Sequence, residues 1–425
     1  GGGCLLSKRN QYYRTDVPRV WLLMIDFPYI KQLTRPTDSK IIMLVIDGLG
    51  GYPNPDTRKS ELETANLPNL DRIAQESSCG LTNPTPFGIT LGSGPGHMAL
   101  FGYDPVKYLL GRGVLEALGI GINLDHGDVA ARGNLATVDQ DDLLVDRRAG
   151  RISTSESAPI IESLRQIEVA GVELSVFPVK DYRFVLVIKG EGIGSAVTET
   201  DPQQLGAVSL DPIGKDGPSI KTAQVVREFV SKAKDILRNR DTANSVLLRG
   251  FSTLPDLPSF GETYNLNPAA VAAYPMYRGL AKVVGMKVLK TGQSFSEQLG
   301  TLREQFGNND FFFLHYKPAD AAGEDGDFDA KVESLELLDS LVPTLSDLNP
   351  DVLIVAGDHS SPAVIGGHSW HPVPLLIRSN FTSGGEGTVG FSEKYCRSGS
   401  LGRIPATSVM MLALAHAGKL AKFGP

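Results

Sequence analysis

Cysteines are scarce in this sequence, and a long apolar run is missing. Three cysteines, at positions 4, 79 and 396, are present among 425 residues, and they form neither a CxxC pair nor a disulfide framework. Such usage fits a reducing compartment, so we expect a cytoplasmic protein. The segment VWLLMIDFPYI at 20–30 is shorter than the roughly 20 apolar residues of a membrane span, and Asp26 and Pro28 interrupt it. We expect neither a membrane span nor a signal peptide.

An excess of positive charge is also missing. The formal net charge of −7 argues against a nucleic-acid-binding surface, which needs a basic patch. A small anionic substrate is compatible with this charge, because its binding depends on local arginines and lysines. The apolar share of 41% and the charged share of 21% are typical of a soluble globular protein, here of two or three domains.

Four apolar runs predict the strands of one sheet. They are KIIMLVIDGLG (Lys40–Gly50), DFFFLHYK (Asp310–Lys317), DVLIVAGDHS (Asp351–Ser360) and VPLLIRS (Val373–Ser379). Helical patterns lie between them, for example at residues 66–78. Strands that alternate with helices indicate an α/β fold with a mostly parallel sheet flanked by helices. Ligands of such sheets bind outside the carboxyl ends of the strands.

Residues 107–280 have a different pattern. Segments such as RFVLVIKG (Arg183–Gly190) and VLLRGF (Val246–Phe251) have the apolar character of strands, which predicts an inserted α+β domain. We expect three parts of the chain: an N-terminal extension of unknown role at 1–39, a catalytic domain at 40–106 and 281–425, and an inserted substrate-binding or lid domain at 107–280.

Acids and histidines follow the predicted strands. Asp47, Asp320 and the pair Asp358–His359 come at or after the ends of three strands, and His368 follows soon after. A single histidine is more often structural, but these side chains should meet at one edge of the sheet. Carboxylate and imidazole ligands suit zinc or manganese. The pattern therefore predicts a metal site.

Ser93 lies in a glycine-rich turn, GITLGSGPGH, directly before a predicted helix. Backbone N–H groups of such a turn bind phosphate oxygens, and a helix N-terminus favours negative charge. A serine beside a metal ion can become a nucleophile. The alternative interpretation is a plain glycine-rich turn.

Arginines are concentrated in and beside the predicted insertion. Guanidinium groups bind phosphate and carboxylate through two parallel hydrogen bonds, although the alternative for each arginine is an ordinary surface charge. The three arginines of the DRRAGR segment favour an anion clamp. The candidates are Arg112, Arg132, Arg147, Arg148, Arg151 and Arg278.

The acidic stretch PADAAGEDGDFDA (Pro318–Ala330) resembles a calcium loop at first sight. Asp325, Asp327, Asp329 and Glu336 would take its ligand positions. The sharp turn of that loop needs a glycine, however, and this chain has alanine at that place. We predict instead that the aspartates begin and cap a helix, since acids favour a helix N-terminus.

The motifs together resemble a known family. GSGPGH–FGYDP, LLGRGVLEALG, DRRAGRIST, YRGLAKVVGM and RIPAT–AKFGP are similar to the archaeal-type, cofactor-independent phosphoglycerate mutases of the alkaline phosphatase superfamily. The resemblance extends over about residues 40–425. Two-metal enzymes of the superfamily also share the chain order of Asp47-Gly48, Ser93, Asp320, Asp358-His359-Ser360 and His368.

The resemblance implies a site with two divalent ions, usually manganese or zinc. It also implies the interconversion of 3-phosphoglycerate and 2-phosphoglycerate through a phosphoserine at Ser93. The arginines would bind the carboxylate and phosphate of the substrate. Asp320 and His368 would hold the second ion, and the first would be held by Asp47, Ser93, Asp358 and His359.

Glu324 departs from the archaeal pattern, which has a histidine four residues after the aspartate that matches Asp320. A carboxylate at this place favours a harder ion, so we expect manganese, with Zn2+, Mg2+ and Co2+ as alternatives. Glu324 and the HSWHP motif resemble bacterial members of the family. His371 in that motif is therefore a further candidate ligand or substrate contact.

Two other functions compete with this prediction. A metal-dependent phosphohydrolase or phosphonate-cleaving enzyme would use the same serine and ions but let water attack the intermediate. A binding protein without catalysis would not need the complete set of site residues, which this chain has. The expected partner is a small phosphorylated carboxylate, with neither nucleic acid nor a membrane.

Overall fold

The computed structural model describes residues 27–382 and 387–424, so predictions for residues 1–26 lie outside the described part. Within that part the chain forms two sheets. Their strands are β1 (Ile41–Ile46), β2 (Ser77–Asn83), β3 (Val129–Val138), β4 (Leu144–Asp146), β5 (Glu173–Pro178), β6 (Arg183–Lys189), β7 (Ser245–Ser252), β8 (Pro268–Val271), β9 (Lys287–Val288), β10 (Phe311–Tyr316), β11 (Val352–Ala356), β12 (Val373–Ser379) and β13 (Gly402–Pro405).

Helices pack against both sheets. Among the described residues, none of these helices combines the length and the apolar character needed to cross a bilayer. They are α1 (Phe27–Leu33), α2 (Glu61–Thr64), α3 (Pro68–Gln75), α4 (Ser93–Leu100), α5 (Arg112–Gly119), α6 (Thr154–Ser163), α7 (Gly217–Leu237), α8 (Phe260–Tyr264), α9 (Pro275–Val283), α10 (Phe295–Gln305), α11 (Pro318–Glu324), α12 (Phe328–Asp347), α13 (Glu393–Cys396) and α14 (Val409–His416).

The larger sheet has eight strands in the order β13-β2-β12-β11-β1-β10-β8-β9. Strand β1 is parallel to both of its neighbours, β10 and β11. Strand β12 is antiparallel to β11 and β2. All four predicted strands are therefore present, and the prediction of an α/β fold with a mostly parallel sheet is confirmed. The carboxyl ends of β1, β10 and β11 lie side by side.

Strand β1 shows why this sheet forms the centre of the molecule. Its alternate residues Ile41, Met43 and Val45 belong to one apolar cluster, and the residues between them belong to another on the opposite face. Every residue of β1 is buried. A strand covered on both faces reads as a continuous apolar run, which is the pattern that predicted it.

The smaller sheet contains β4, β3, β6 and β5, with β7 paired to β3. All of these pairings are antiparallel. Helices α6 and α7 pack on it around a third apolar cluster. The structure thus has an α+β unit between strands of the larger sheet.

The insertion predicted at 107–280 includes one strand of the larger sheet, β8. Strand β8 pairs with β10, and β9 pairs with β8, so both belong to the larger sheet. The β8 strand has four residues, PAAV, of which two are alanine. Val271 is its one β-branched residue and it has no aromatic residue, so little in its sequence indicates a strand.

Part of the predicted N-terminal extension packs against the C-terminal end of the chain. The Arg35 backbone N–H donates to the Lys419 carbonyl at 2.9 Å, and Ser39 Oγ donates to the Ala417 carbonyl at 2.7 Å. Residues 27–39 therefore cover the end of α14 and the turn after it.

Candidate metal centre

Two acids and a histidine meet where β1 and β11 end. Asp47 directly follows β1, and Asp358 and His359 follow β11 within three residues. His359 Nε2 lies 3.3 Å from Asp47 Oδ1 and 3.2 Å from Asp358 Oδ2. Because β1 and β11 are parallel neighbours, the segments after them must leave the sheet at the same edge. All three side chains are buried.

Ser93 is the first residue of α4 and points into this group. Its Oγ lies 3.0 Å from His359 Nε2 and 3.4 Å from Asp47 Oδ1. Helix α4 can approach this closely because a Cβ on Gly96 would lie only 2.3 Å from the Asp358 carbonyl oxygen. Gly96 therefore allows the close contact between α4 and the segment after β11.

A second group of possible ligands includes two carboxylates on a short helix, α11, that the sequence did not predict. Asp320 is in the first turn of α11 and Glu324 ends it, four residues apart and so on one face. His368 Nε2 lies 3.6 Å from Asp320 Oδ1 and 3.2 Å from Glu324 Oε1. Asp320 is thus presented by a helix after β10, not by the strand end itself.

His359 belongs to both groups. The ligand atoms of Asp47, Asp358 and His359 lie within 4.8 Å of one another, and so do those of Asp320, His359 and His368. The rings of His359 and His368 stack with centroids 3.8 Å apart. The resemblance had assigned His359 to the first ion alone, whereas its position is central to both groups.

The donor set fits divalent cations. Three buried carboxylates converge here, and burying anions without a partner is costly. Asp358 Oδ2 accepts no hydrogen bond from the described residues, because His97 Nδ1, 3.2 Å away, lies closer to the Ser93 carbonyl at 2.8 Å. A buried carboxylate oxygen without a donor, beside two imidazoles, suits a metal ion.

Three further side chains surround Asp47, and none of them was among the predicted site residues. Lys317 Nζ lies 3.3 Å from Asp47 Oδ2 and 2.5 Å from Asp320 Oδ2. Tyr277 donates its hydroxyl to Asp47 Oδ2, and His315 Nε2 lies 3.0 Å from the same oxygen. His315 and Lys317 come at the end of β10, directly before Asp320, which is the signal that could have found them.

The charges of this network are set by burial and by close partners. Burial lowers the pKa of His315 to about 4, so its imidazole is neutral and donates from Nε2. Burial alone would lower the pKa of Lys317, but the carboxylates of Asp47 and Asp320 raise it above its ordinary value. Lys317 is therefore an ammonium ion between the two groups.

Four arginines form a basic cluster beside α4, and only two of them were predicted. Arg132 on β3 pairs with Arg249 on β7. Burial lowers the pKa of Arg132, and the charges of Arg249, Arg183 and Arg112 lower it further, although Glu116 opposes them. The buried Nε atoms of Arg132 and Arg249 have no hydrogen-bond partner among the described residues. Arg183 on β6 and Arg249 on β7 were not predicted, because only the pairing of their strands with β3 places them near Arg132.

A cavity of about 570 Å³ adjoins this cluster. It is lined by Arg112 and Arg132, by Leu115 of α5 and by Met276 of α9. Leu115 also reaches α4, since a Cβ on Gly94 would lie 2.8 Å from its Cδ2. The cavity is therefore next to the N-terminus of α4, where Ser93 is located.

The other predicted arginines lie outside the basic cluster and do not form an anion clamp with it. Arg147 makes two hydrogen bonds to Asp201, at 2.8 and 2.7 Å. Arg148 and Arg151 are exposed. Arg278 lines a different cavity, of about 660 Å³. The DRRAGR turn thus contains one arginine already paired with a buried carboxylate.

His371 is also outside both carboxylate–histidine groups. Its Nδ1 lies 2.9 Å from Ser369 Oγ, and its ring lies 4.8 Å from Tyr52 and 5.0 Å from Trp370, measured between centroids. It lines a cavity of about 500 Å³ with Tyr52.

The acidic stretch is not a calcium loop. Asp327 is the N-cap of α12 and accepts a hydrogen bond from the Ala330 backbone N–H at 2.9 Å. Asp329 lies in the first turn of the same helix. The prediction that the aspartates begin a helix is confirmed for Asp327 and Asp329 and is wrong for Asp325, which is the C-cap of α11.

The fold and the candidate site define an α/β protein with two carboxylate–histidine groups that could hold metal ions. The structure matches that of the cofactor-independent phosphoglycerate mutase of Thermoplasma acidophilum with a TM-score of 0.71 at 27% identity, covering 89% of this chain and 100% of that chain. A protein of known structure from Pyrococcus horikoshii matches with a TM-score of 0.75 at 28% identity, covering 92% of this chain and 100% of that chain.

Sequence comparison identifies the family. Residues 74–243 match the family model described as 2,3-bisphosphoglycerate-independent phosphoglycerate mutase. The probable enzyme of that name from Thermotoga maritima is 48% identical over 398 residues, which cover 93% of this chain and 98% of the relative. That of Thermus thermophilus is 46% identical over 403 residues, covering 94% and 99%. The chain belongs to this family of isomerases.

Proposed function

We propose that this enzyme interconverts 3-phosphoglycerate and 2-phosphoglycerate through a phosphoserine at Ser93. The position of Ser93 Oγ carries the proposal. It lies 3.0 Å from His359 Nε2 and 3.4 Å from Asp47 Oδ1, between the carboxylate–histidine groups and the arginine cavity. A hydroxyl at a helix N-terminus beside metal ligands has the surroundings of an activated nucleophile.

Two divalent ions would be held by the two groups, and we propose manganese over Zn2+, Mg2+ and Co2+. When bound, the ions would make the serine hydroxyl more acidic and offset the charge of the transferring phosphoryl group. Glu324 Oε1, 3.2 Å from His368 Nε2, is within reach of an ion at that nitrogen. The proposed ligands are Asp47, Ser93, Asp358 and His359 for one ion, and Asp320, Glu324, His359 and His368 for the other.

Lys317 would contribute a fixed positive charge to the same place. Its ammonium lies between Asp47 and Asp320, so it neutralises ligand charge and can donate to a phosphoryl oxygen. Tyr277, whose hydroxyl lies 3.3 Å from Lys317 Nζ, and His315 hold Asp47 Oδ2 in place by hydrogen bonds. A preorganised set of donors of this kind stabilises charge that develops in the transition state.

The arginine cluster would bind the carboxylate and the phosphate of the substrate. Arg132 and Arg249 have buried Nε atoms without a partner among the described residues, and Arg112 lines the cavity beside α4. Arg132 also has one ion pair, since its Nη1 lies 3.2 Å from Glu116 Oε1. Arg147 donates to Asp201 from both Nε and Nη2 and so has less to offer an anion. We keep Arg148, Arg151, Arg278 and His371 as weaker candidates for contact with the substrate.

The smaller sheet would act as a lid. A mutase must keep glycerate bound after Ser93 has taken its phosphoryl group, since water would otherwise hydrolyse the phosphoserine. A cavity that holds the glycerate carboxylate on arginines allows it to reorient and present its other hydroxyl. We propose residues 107 to about 258 as this lid domain, and a cytoplasmic location for the enzyme.

One experiment tests the reaction and the metal requirement together. Metal-stripped enzyme is given manganese, zinc, magnesium or cobalt and 3-phosphoglycerate. Formation of 2-phosphoglycerate is followed through enolase, and free phosphate is measured in parallel. We expect manganese to restore isomerisation with little phosphate release. Phosphate without 2-phosphoglycerate would instead identify a phosphohydrolase.

A further inference from the structure

Lys331 lies near the start of α12 and is completely buried. Its ammonium group donates to three backbone carbonyls, those of Gly48 at 2.9 Å, Gly50 at 3.0 Å and Ser361 at 2.8 Å. A lysine has three donors, so each of them is used. The three carbonyls belong to the loop after β1 and to the segment after β11.

The loop after β1 positions the first group of ligands. Gly48 follows Asp47, and its N–H donates to Asp358 Oδ1 at 3.1 Å. Gly48 also has φ of 64° and packs against Asp320, since a Cβ there would lie 2.6 Å from Asp320 Oδ1. A shift of the Gly48 peptide would therefore move several of the proposed ligands.

The segment after β11 positions the shared histidine. Ser361 Oγ donates to Asp320 Oδ1 at 2.5 Å and lies 3.1 Å from His359 Nδ1. The hydroxyl thus orients the imidazole whose Nε2 belongs to both groups. Ser361 N also donates to the Gly50 carbonyl at 2.9 Å, so Lys331 reinforces an existing junction between the two segments.

Buried carboxylates balance the charge of Lys331. Glu61 Oε1 lies 3.9 Å from its Nζ and accepts the Ala363 backbone N–H at 2.7 Å. Glu393 accepts the Gly51 backbone N–H at 2.7 Å. These contacts tie the same two segments to α2 and α13.

Packing alone does not require a lysine at this position. Leu335 and Leu338, on later turns of α12, are buried and apolar. Burying an ammonium ion has a desolvation penalty even when it is paired, and an apolar side chain would avoid it. The three carbonyl contacts are what an apolar residue could not provide.

We propose that Lys331 is a positioning residue of the two-metal site, joining the segments that carry Asp47 and His359 so that both ligand groups are formed before ions bind. This inference rests on the ligands assigned under the proposed function. Residues behind metal ligands fix ligand orientation, and their loss typically weakens metal binding by about 10- to 100-fold.

The test compares Mn2+ binding by metal-stripped wild-type enzyme and Lys331→Met, measured by titration calorimetry. Circular dichroism establishes that the variant is folded. We expect its Kd for Mn2+ to rise about 10- to 100-fold, and saturating Mn2+ to recover much of kcat. A folded variant with the wild-type Kd would overturn the proposal.

Lys419→Met is the matched control, because Lys419 is equally buried and lies elsewhere. Its Nζ donates to the Thr37 carbonyl at 2.7 Å and lies 3.6 Å from Asp310 Oδ2. We expect this variant to lose stability while keeping the wild-type Kd for Mn2+. If Lys419→Met weakened Mn2+ binding as much as Lys331→Met does, the effect would be one of general stability and the proposal would fail.

If Lys331→Met does not fold, the double variant Lys331→Met/Glu61→Gln decides, because it leaves no uncompensated charge between these two groups. It should fold and still bind Mn2+ weakly. A double variant that binds normally, or that does not fold either, would assign Lys331 to general stability and overturn the inference. Wild-type enzyme that binds no Mn2+ would instead contradict the proposed function itself.

Discussion

The two sheets present their functional side chains in different ways. At the larger sheet, Asp47 and Asp358 follow parallel strands, and the course of the backbone brings them together. At the smaller sheet, Arg132 and Arg249 lie within antiparallel strands and become neighbours through register. The carboxylates that follow the larger sheet's strands form a buried negative region, and the arginines on the smaller sheet form a positive region.

This difference in charge explains how one small substrate could bind at both regions. Carboxylates that converge need cations, and guanidinium groups that crowd each other need anions. A phosphorylated carboxylate lying between Ser93 and Arg132 would reach both. The largest effects should therefore come from residues that face this space, and small ones from residues that are already paired within the protein.

Ser93→Ala should have the largest effect. Removing the proposed nucleophile should lower kcat by about 10⁴-fold or more, measured by the enolase-coupled assay. Ser219→Ala is the control, since Ser219 is also buried but its hydroxyl accepts the Ala196 backbone N–H, far from the ligands. Near-full activity of the Ser93 variant would remove it from the nucleophile role.

Arg132→Met and Arg249→Met test the positive region. Each should lower kcat/KM by about 10- to 100-fold, since a hydrogen bond to a charged group contributes roughly 1.5–3 kcal/mol. Arg147→Met should keep kcat/KM close to that of the wild type, because Arg147 is paired with Asp201. The reverse order of effects would show that the DRRAGR turn, and not the strand arginines, binds the substrate.

Glu324→Gln tests the edge of the negative region. Loss of the carboxylate charge beside His368 should weaken binding of the second Mn2+ by about 10-fold, measured as metal content after dialysis at set Mn2+ concentrations. Asp325→Asn is the control, since its exposed side chain is next in sequence. Equal metal content in wild type and Glu324→Gln would mean that Glu324 is not a ligand.

Arg147→Met should have the smallest effect on catalysis, but it should lower the stability of the fold measurably. Arg147→Met leaves the buried Asp201 carboxylate without its main partner, so the free energy of unfolding should fall by about 1–3 kcal/mol. Arg148→Met, at an exposed neighbour, should leave stability unchanged. Urea titration measures both, and equal stability of the two variants would contradict a structural role for the Arg147–Asp201 pair.

The same pair has a defined pH dependence. Burial raises the pKa of Asp201, but the hydrogen bonds and charge of Arg147 hold it below its ordinary value. A lowered folded-state pKa stabilises the fold above the unfolded pKa of about 4, and this contribution is lost as the pH falls through the folded value. The stability difference between wild type and Arg147→Met should therefore shrink below about pH 4.

Sequence patterns predicted the metal region better than the arginine region. Strands β1, β10 and β11 are continuous apolar runs, so their ends, and the acids that follow, could be located without a structure. No sequence pattern identifies Arg249 as a site residue. Its partner Arg132 is more than a hundred residues away, and only the β3–β7 register places the two side by side. The four-residue β8 was missed because Val271 is its only strand-forming residue.

The sequence by itself determined the α/β class, the position of Ser93 at the start of a helix, the positions of the acids and histidines that we propose as metal ligands, and the family. These depend on local periodicity and on motifs. Only the tertiary structure decided that His359 is shared by both ligand groups, that Lys331 binds the loops behind them, and that Arg147 is already paired. Each of these is a contact between residues distant in sequence, formed only when the strands pack in one order and one register.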